Sequence, residues 1–303
     1  MRSIRVRAAA KINWTLEVLG ARPDGYHEVR TILQTISLCD EVALTSADEL
    51  SLTVHGASRA FRRAPPEENL AFRAAALLRE RAGYRGGARI DLEKRVPVAA
   101  GLGGGSSDAA AVLRGLRRLW EANISDDEIA TIAAELGSDV PFFLRGGAAL
   151  ASGRGEILEP LPDLAQQRNL IIAHREAASP SDKTTRMYAA LRPEHYTDGS
   201  ATERLAARLR AGDGLGDEDI YNVFASLLPD VDPGTARALD RVTGLGIGQP
   251  HLCGSGPAIF FLERREPAGQ DAPMAHVELP GYPVASFPHT LSSADVRAMW
   301  DEG

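Results

Sequence analysis

Apolar and polar residues alternate along the opening of the chain. Ile4, Val6 and Ala8 are interleaved with arginines, and Ile12, Trp14, Leu16 and Val18 resume the alternation after Lys11. A period of two sends successive side chains to opposite faces of a strand, which predicts one long strand, or two joined by a bulge near Ala9 and Ala10. Lys11 and Asn13 share the face opposite the apolar set. Arg22-Pro-Asp-Gly25 then signals a turn. Val29, Ile32, Ile36 and Leu38 resume apolar spacing, and residues 42–45 and 50–55 read as short strands. Residues 67–81 carry Leu70, Ala74, Leu77 and Leu78 on one side of a helix stopped by Gly83. Residues 88–96 alternate again, with Ile90, Leu92 and Val96 set against Arg89, Asp91, Glu93 and Arg95. A strand with one wet face suits an antiparallel or mixed sheet rather than a buried parallel one.

A helix is expected over 109–120, and Ser125-Asp-Asp-Glu128 is a capping box for a helix that closes at Gly137. Polarity rises near 165–168, placing a junction between two units, 1–165 and 166–303. The second unit reads as a strand at 169–173, a helix at 179–191 and a charged, glycine-punctuated stretch at 192–216. Asn222 and Phe224 lead into a further helix, glycine-rich segments follow at 244–248 and 251–258, and the last helix is expected over 292–302.

Between the strand at 88–96 and the helix at 109–120 lies Pro97-Val98-Ala99-Ala100-Gly101-Leu102-Gly103-Gly104-Gly105-Ser106-Ser107-Asp108. Glycines let a backbone bend sharply and approach a ligand closely, and Ser106, Ser107 and Asp108 are candidate helix caps. Such a loop offers an anion free N–H groups and the positive end of a helix dipole. The plain alternative is a flexible loop before an ordinary helix. No lysine follows the last glycine, and Ser106 stands where a dinucleotide fingerprint needs its third glycine, so neither common nucleotide motif is met.

With 303 residues, the chain has room for one large or two medium domains. No apolar run approaches a membrane span, and the charged N-terminus does not read as a secretory signal. Cys39 and Cys253 lie too far apart in sequence to suggest a disulfide framework or metal cluster, so a reducing cytoplasm is expected. A net charge of −7 argues against a nucleic-acid partner and leaves room for a local cationic pocket.

Five further residues read two ways on their own. Lys11 is either solvated or active, and Tyr26-His27 either plugs its loop or faces a ligand. Asn69 either uses its amide locally at a helix start or touches a nucleotide, and Asp139 is either a turn former or a base. Taken together, these segments resemble the GHMP kinases. The run from Pro97 to Ser107 is similar to their phosphate loop, and His251–Phe261 to their third motif. AAAKINWTLEVLG (8–20), RPDGYHEVRTILQTISLCDEV (22–42) and LGSDVPFFLRGGAALASGRGE (136–156) resemble one subfamily, which phosphorylates a cytidine diphosphate-linked methylerythritol. Ala9 departs from a usual proline, and Cys253 from a frequent serine.

The resemblance implies an α+β, two-domain GHMP kinase fold. Its N-terminal domain would carry a mixed sheet like domain 2 of ribosomal protein S5, and its C-terminal domain would be ferredoxin-like. It implies ATP with Mg²⁺, Lys11 and Asp139 as catalytic residues, and residues 97–108 with Asn69 around ATP. Asn13, Tyr26 and His27 would hold the substrate, the ring and imidazole taking its cytosine. Metal ligands stay open, with Ser106 or Ser107 as candidates. The partner is a small molecule, not a membrane or nucleic acid, and the protein is expected to be a monomer or weak homodimer. A different GHMP kinase should lack the PDGYH segment, and a non-catalytic relative should lack Lys11 or Asp139; all are present.

Overall fold

The alternating opening folds as one strand, β1 (Ser3–Ala21), paired antiparallel with β2 (His27–Ala47). This computed structural model describes residues 2–164, 170–174, 183–244, 248–262, 284–286 and 288–301. The β1–β2 register breaks between Ala9 and Ala10, the place the sequence suggested, and again between Asn13 and Thr15 and between Val18 and Gly20. Residues 42–45 are not a separate strand but the far part of β2. Asp40 looks like a break in the apolar pattern, yet it is buried within the strand and compensated there by charge.

β3 (Ser51–His55) pairs parallel with β4 (Gly87–Glu93), and β4 pairs antiparallel with the far half of β2. The near half of β2 takes β5 (Ala148–Ser152), which takes β6 (Ile157–Leu161). With β8 (Tyr221–Asn222) added parallel to β1, the result is a mixed seven-stranded sheet. A short helix, α1 (Arg59–Arg63), leads to α2 (Leu70–Arg81), followed by α3 (Gly104–Leu119), α4 (Asp126–Leu136) and α5 (Val140–Phe143). Ser125 caps α4 as its sequence indicates, accepting the Glu128 N–H at 3.2 Å. The apolar sides of α2, α3 and α4 close a core with Val6, Leu44, Ile90 and Leu92 from the sheet. α3 lies close to the strands because Gly115 has no side chain: a Cβ there would sit 2.4 Å from Leu44 Cδ1.

The second half supplies a four-stranded antiparallel sheet of β7 (Leu170–His174), β9 (His251–Leu252), β10 (Ile259–Leu262) and β11 (Val284–Ser286). Its helices are α6 (Lys183–Ala189), α7 (Ser200–Ala211), α8 (Leu228–Val231) and α9 (Pro233–Thr243). Two further cores join the halves: Trp14 of β1 meets Phe260 of β10 edge to face at 5.7 Å, and Leu16 and Val29 pack among Met187, Phe224 and Phe261. The last helix, α10 (Ser293–Asp301), comes back to the first sheet, where Leu291 N–H donates to Thr35 O at 3.0 Å. The expected junction at 165–168, part of the helix expected at 179–191 and part of the segment at 244–248 lie outside the described residues.

Candidate active site

The glycine run is tightly held. Gly101 (φ 85°) and Gly103 (φ 71°) occupy the left-handed region, and a Cβ on Gly101 would fall 1.9 Å from the Cys253 carbonyl oxygen. Only glycine permits that approach. The loop at 253–258 thus packs on the glycine run, with Ala258 N–H donating to Ala100 O at 3.2 Å. α3 begins earlier than its apolar pattern suggests, with Gly103 as N-cap residue, so Ser106, Ser107 and Asp108 lie inside the helix and do not cap it. Tertiary contacts use them instead. Ser107 Oγ donates to Ala9 O at 2.7 Å, and Lys11 N–H donates to Leu102 O at 3.0 Å. Both bonds flank the first bulge of β1, where the interrupted ladder leaves backbone groups free to bond elsewhere. The N–H groups of Gly104, Gly105 and Ser106 begin a helix and have no intrahelical acceptor, which suits an anion.

Beneath the run lies a buried charge cluster that the sequence did not reveal. Lys94 Nζ donates to Asp108 Oδ2 at 2.7 Å and also to Asp40. Asp40 Oδ1 further accepts the N–H groups of Arg95 and Val96. Burial, reinforced by the charge of Asp40 and opposed by Lys94, pushes the Asp108 carboxyl up to about 7. Burial alone would lower Lys94, but Asp108 and Asp40 outweigh it and hold the ammonium above its usual range. β2, the end of β4 and the start of α3 are therefore tied at one point, which fixes both ends of the glycine run.

The face of β1 opposite the apolar set is not wet. Lys11, Asn13, Thr15 and Glu17 are all buried. Lys11 Nζ donates to Asn13 Oδ1 at 2.8 Å and stands 3.8 Å from Asp139 Oδ2. Asn13 Nδ2 donates to Thr31 Oγ1 at 2.7 Å, which fixes the amide so that its oxygen meets the ammonium. Asp139 precedes α5, yet its side chain makes no capping bond. Its carboxylate is half exposed and free to meet a ligand.

Tyr26 and His27 follow the turn at 22–25. The Tyr26 ring is 54% exposed and lies 4.8 Å under the Arg154 guanidinium. The His27 ring packs on Tyr188 of α6 at 5.2 Å and nears Tyr196 at 6.2 Å. Burial lowers the His27 pKa, favouring the neutral imidazole. Burial pushes the Tyr188 phenol up to about 12, with the charge of Asp139 adding to the effect.

Of the residues the sequence singled out, Lys11, Asn13, Tyr26, His27, Gly101, Gly103, Ser106 and Asp139 line a single cleft of about 680 Å³. Pro97, Val98, Ala99, Ala100, Leu102, Gly104, Gly105, Ser107, Asp108 and Asn69 do not line it. Asn69 caps α2, its Oδ1 accepting Ala71 N–H at 2.9 Å, the local use anticipated as the alternative. Sequence reasoning gave no role to Thr31 and Ser255, which lie inside the segments at 22–42 and 251–261, and missed Tyr188 altogether; all three line the cleft. A tyrosine near the end of a short helix carries no motif, and only the fold brings it to His27.

Residues 69–147 match the family of GHMP kinases N terminal domain. A 4-diphosphocytidyl-2-C-methyl-D-erythritol kinase from Dehalococcoides mccartyi is 38% identical over 255 residues, 84% of this chain and 87% of that protein. Its counterpart from Symbiobacterium thermophilum is 39% identical over 286 residues, 89% of this chain and 98% of that protein. A crystal structure of 4-(cytidine 5'-diphospho)-2C-methyl-D-erythritol kinase superposes with a TM-score of 0.75 at 35% identity, covering 95% of this chain and 99% of that one. A homoserine kinase from Cytophaga hutchinsonii shares the fold, with a TM-score of 0.65 at 20% identity over 87% of this chain and 85% of that one. Together with the glycine loop and the Lys11–Asp139 pair, these likenesses identify the chain as an ATP-dependent GHMP kinase belonging to the 4-diphosphocytidyl-2-C-methyl-D-erythritol kinase family.

Proposed function

We propose that the protein transfers the γ-phosphoryl group of ATP to the 2-hydroxyl of 4-diphosphocytidyl-2-C-methyl-D-erythritol, giving the 2-phosphate and ADP in the non-mevalonate route to isoprenoid precursors. The observation that carries this reading is one cleft in which an aromatic group of Tyr26, His27 and Tyr188 shares walls with Lys11, Asp139 and the glycine run. A flat base needs the first group, and an alcohol being phosphorylated needs the second.

The 2-hydroxyl oxygen attacks the γ-phosphorus, its proton passes to the Asp139 carboxylate, and the bond to the ADP oxygen breaks. Lys11, held by Asn13 and Thr31, offsets charge on the transferring group without having to reorient. The N-terminus of α3, which reaches the cleft at Gly103 and Ser106, holds the phosphate chain. Neutral His27 is able to both donate to and accept from a base edge. Mg²⁺ would arrive on the triphosphate and neutralise its charge. Among the described residues no three His, Cys, Asp or Glu side chains gather to hold a metal, which suits an ion kept by phosphate oxygens, water and a protein oxygen such as Ser106 Oγ. Residues 1–165 and 166–303 form the two domains in this reading, and the enzyme acts in the cytoplasm as a monomer or weak homodimer. The buried thiols of Cys39 and Cys253 suit a reducing compartment.

The test is ATP turnover with Mg²⁺ on the cytidine compound, homoserine and mevalonate. Turnover confined to the cytidine compound, and reduced at least ~100-fold by Asp139→Asn, is expected. Turnover of another alcohol instead would refute the base-clamp reading of Tyr26 and His27.

A further inference from the structure

An exposed tyrosine is a poor stacking platform unless something fixes the plane of its ring. Tyr26 is the most exposed large aromatic in the cleft, and one ring face is already covered by the Arg154 guanidinium. Arg154 is itself tethered. Its backbone N–H donates to Glu156 Oε2 at 2.6 Å, and its Nε lies 3.4 Å from Glu156 Oε1. The turn depends on Gly153 (φ 70°) and Gly155 (φ 107°), backbone shapes that side chains disfavour.

The turn is also fastened to β2, the strand that follows directly on Tyr26. Val29 N–H donates to Gly153 O at 2.8 Å, and Gly153 N–H donates to Glu28 Oε1 at 3.0 Å. Glu28 in turn holds Arg22, and Asp24 accepts the Tyr26 N–H at 3.1 Å. Ring and guanidinium therefore ride on one hydrogen-bonded unit. The charge of Arg154 is balanced locally by Glu156 and reaches Asp24 as well. A cation on one face of an aromatic ring holds it by its quadrupole and leaves the other face for a flat ligand.

We propose that Arg154 is a positioning residue for base recognition: it backs the Tyr26 ring so that the opposite face is presented to the cytosine, and it thereby sets selectivity for the nucleotide end of the substrate. This rests on the cytidine reading of the cleft given above. Arg154 has no part in the phosphoryl step, which belongs to Lys11 and Asp139.

The test compares wild type with Arg154→Gln and Arg154→Lys, varying the cytidine substrate at saturating ATP, and measures cytidine 5'-diphosphate binding by calorimetry. Arg154→Gln should raise KM and Kd by about 5–10-fold with kcat within about twofold. Arg154→Lys, which keeps the charge and loses the planar fork, should recover part of that loss. In a Tyr26→Leu background Arg154→Gln should add nothing. Unchanged or lowered KM, a fall in kcat at constant KM, or a full Arg154 effect without the Tyr26 ring would each overturn the proposal. Failure of wild type to bind cytidine diphosphate would sink the cytidine reading itself, and this proposal with it. Normal wild-type binding without the Arg154 effect would sink this proposal alone.

Discussion

Lys94→Met removes the only cation of the buried Asp40–Lys94–Asp108 cluster while keeping most of its side-chain volume. Asp40 and Asp108 are 0% and 2% exposed, so water cannot replace the ammonium without opening the core. Asp40 keeps the N–H groups of Arg95 and Val96, whereas Asp108 loses its Lys94 partner. Breaking a buried ion pair from one side costs about 3–5 kcal/mol. At about 2 °C per kcal/mol in a chain of this size, the melting temperature should fall by ~6–10 °C at pH 8. The fall should shrink at pH 5.5. Asp108 already titrates near 7 beside Lys94 and, without that cation, takes up a proton more readily still. Because the cluster ties both ends of the glycine run, KM for ATP should rise as well. Calorimetric scans at the two pH values decide the matter. A fall under ~2 °C at pH 8, or a larger one at pH 5.5, would refute the reasoning.

The same cluster has a pH signature. The folded-state pKa of Asp108 lies near 7 against a usual 3.8, so the folded protein holds that proton more tightly. The resulting stabilisation is complete below about pH 4 and drains away as pH rises to about 7. The stability difference between wild type and Asp108→Asn should therefore shift in favour of the variant across that window, and a flat difference would contradict the assignment. In the glycine run, Gly101→Ala places a Cβ 1.9 Å from the Cys253 carbonyl oxygen in a left-handed conformation, whereas Gly105→Ala meets nothing nearer than Leu70 Cδ1 at 3.8 Å. Thermal scans should show a loss of at least ~2 kcal/mol for the first and no loss for the second, whose helical position favours alanine. Equal effects would mean that the packing of the run on the 253–258 loop is misjudged.

Local chemistry was legible in the sequence wherever a residue's neighbours along the chain decide its state. The alternation of Ile4 through Val18 gave β1 and its first bulge, because strand pleat is a local period. Ser125 announced α4, because a cap bonds its own helix. The glycine run announced a sharply bent loop, because glycine alone reaches the left-handed region without strain. Tertiary structure decided the rest. Periodicity placed Lys11 and Asn13 on one face of β1, but the burial of Lys11 depends on the glycine run and on Gly254 from the second half of the chain lying against it. Residues 42–45 read as a separate strand on sequence alone; that Asp40 is buried inside a continuous β2 depends on Lys94, 54 residues away in sequence. Ser107 and Asp108 looked like caps for want of any local sign of Ala9 and Lys94, the groups that claim them. Tyr188 reaches His27 only through the packing of α6 on the site, a contact that no local rule encodes. The chain's own order thus set the loop, the caps and the candidate chemistry. Burial and long-range charge pairing, which need the whole fold, decided which of those groups line the cleft and which hold the loop in place.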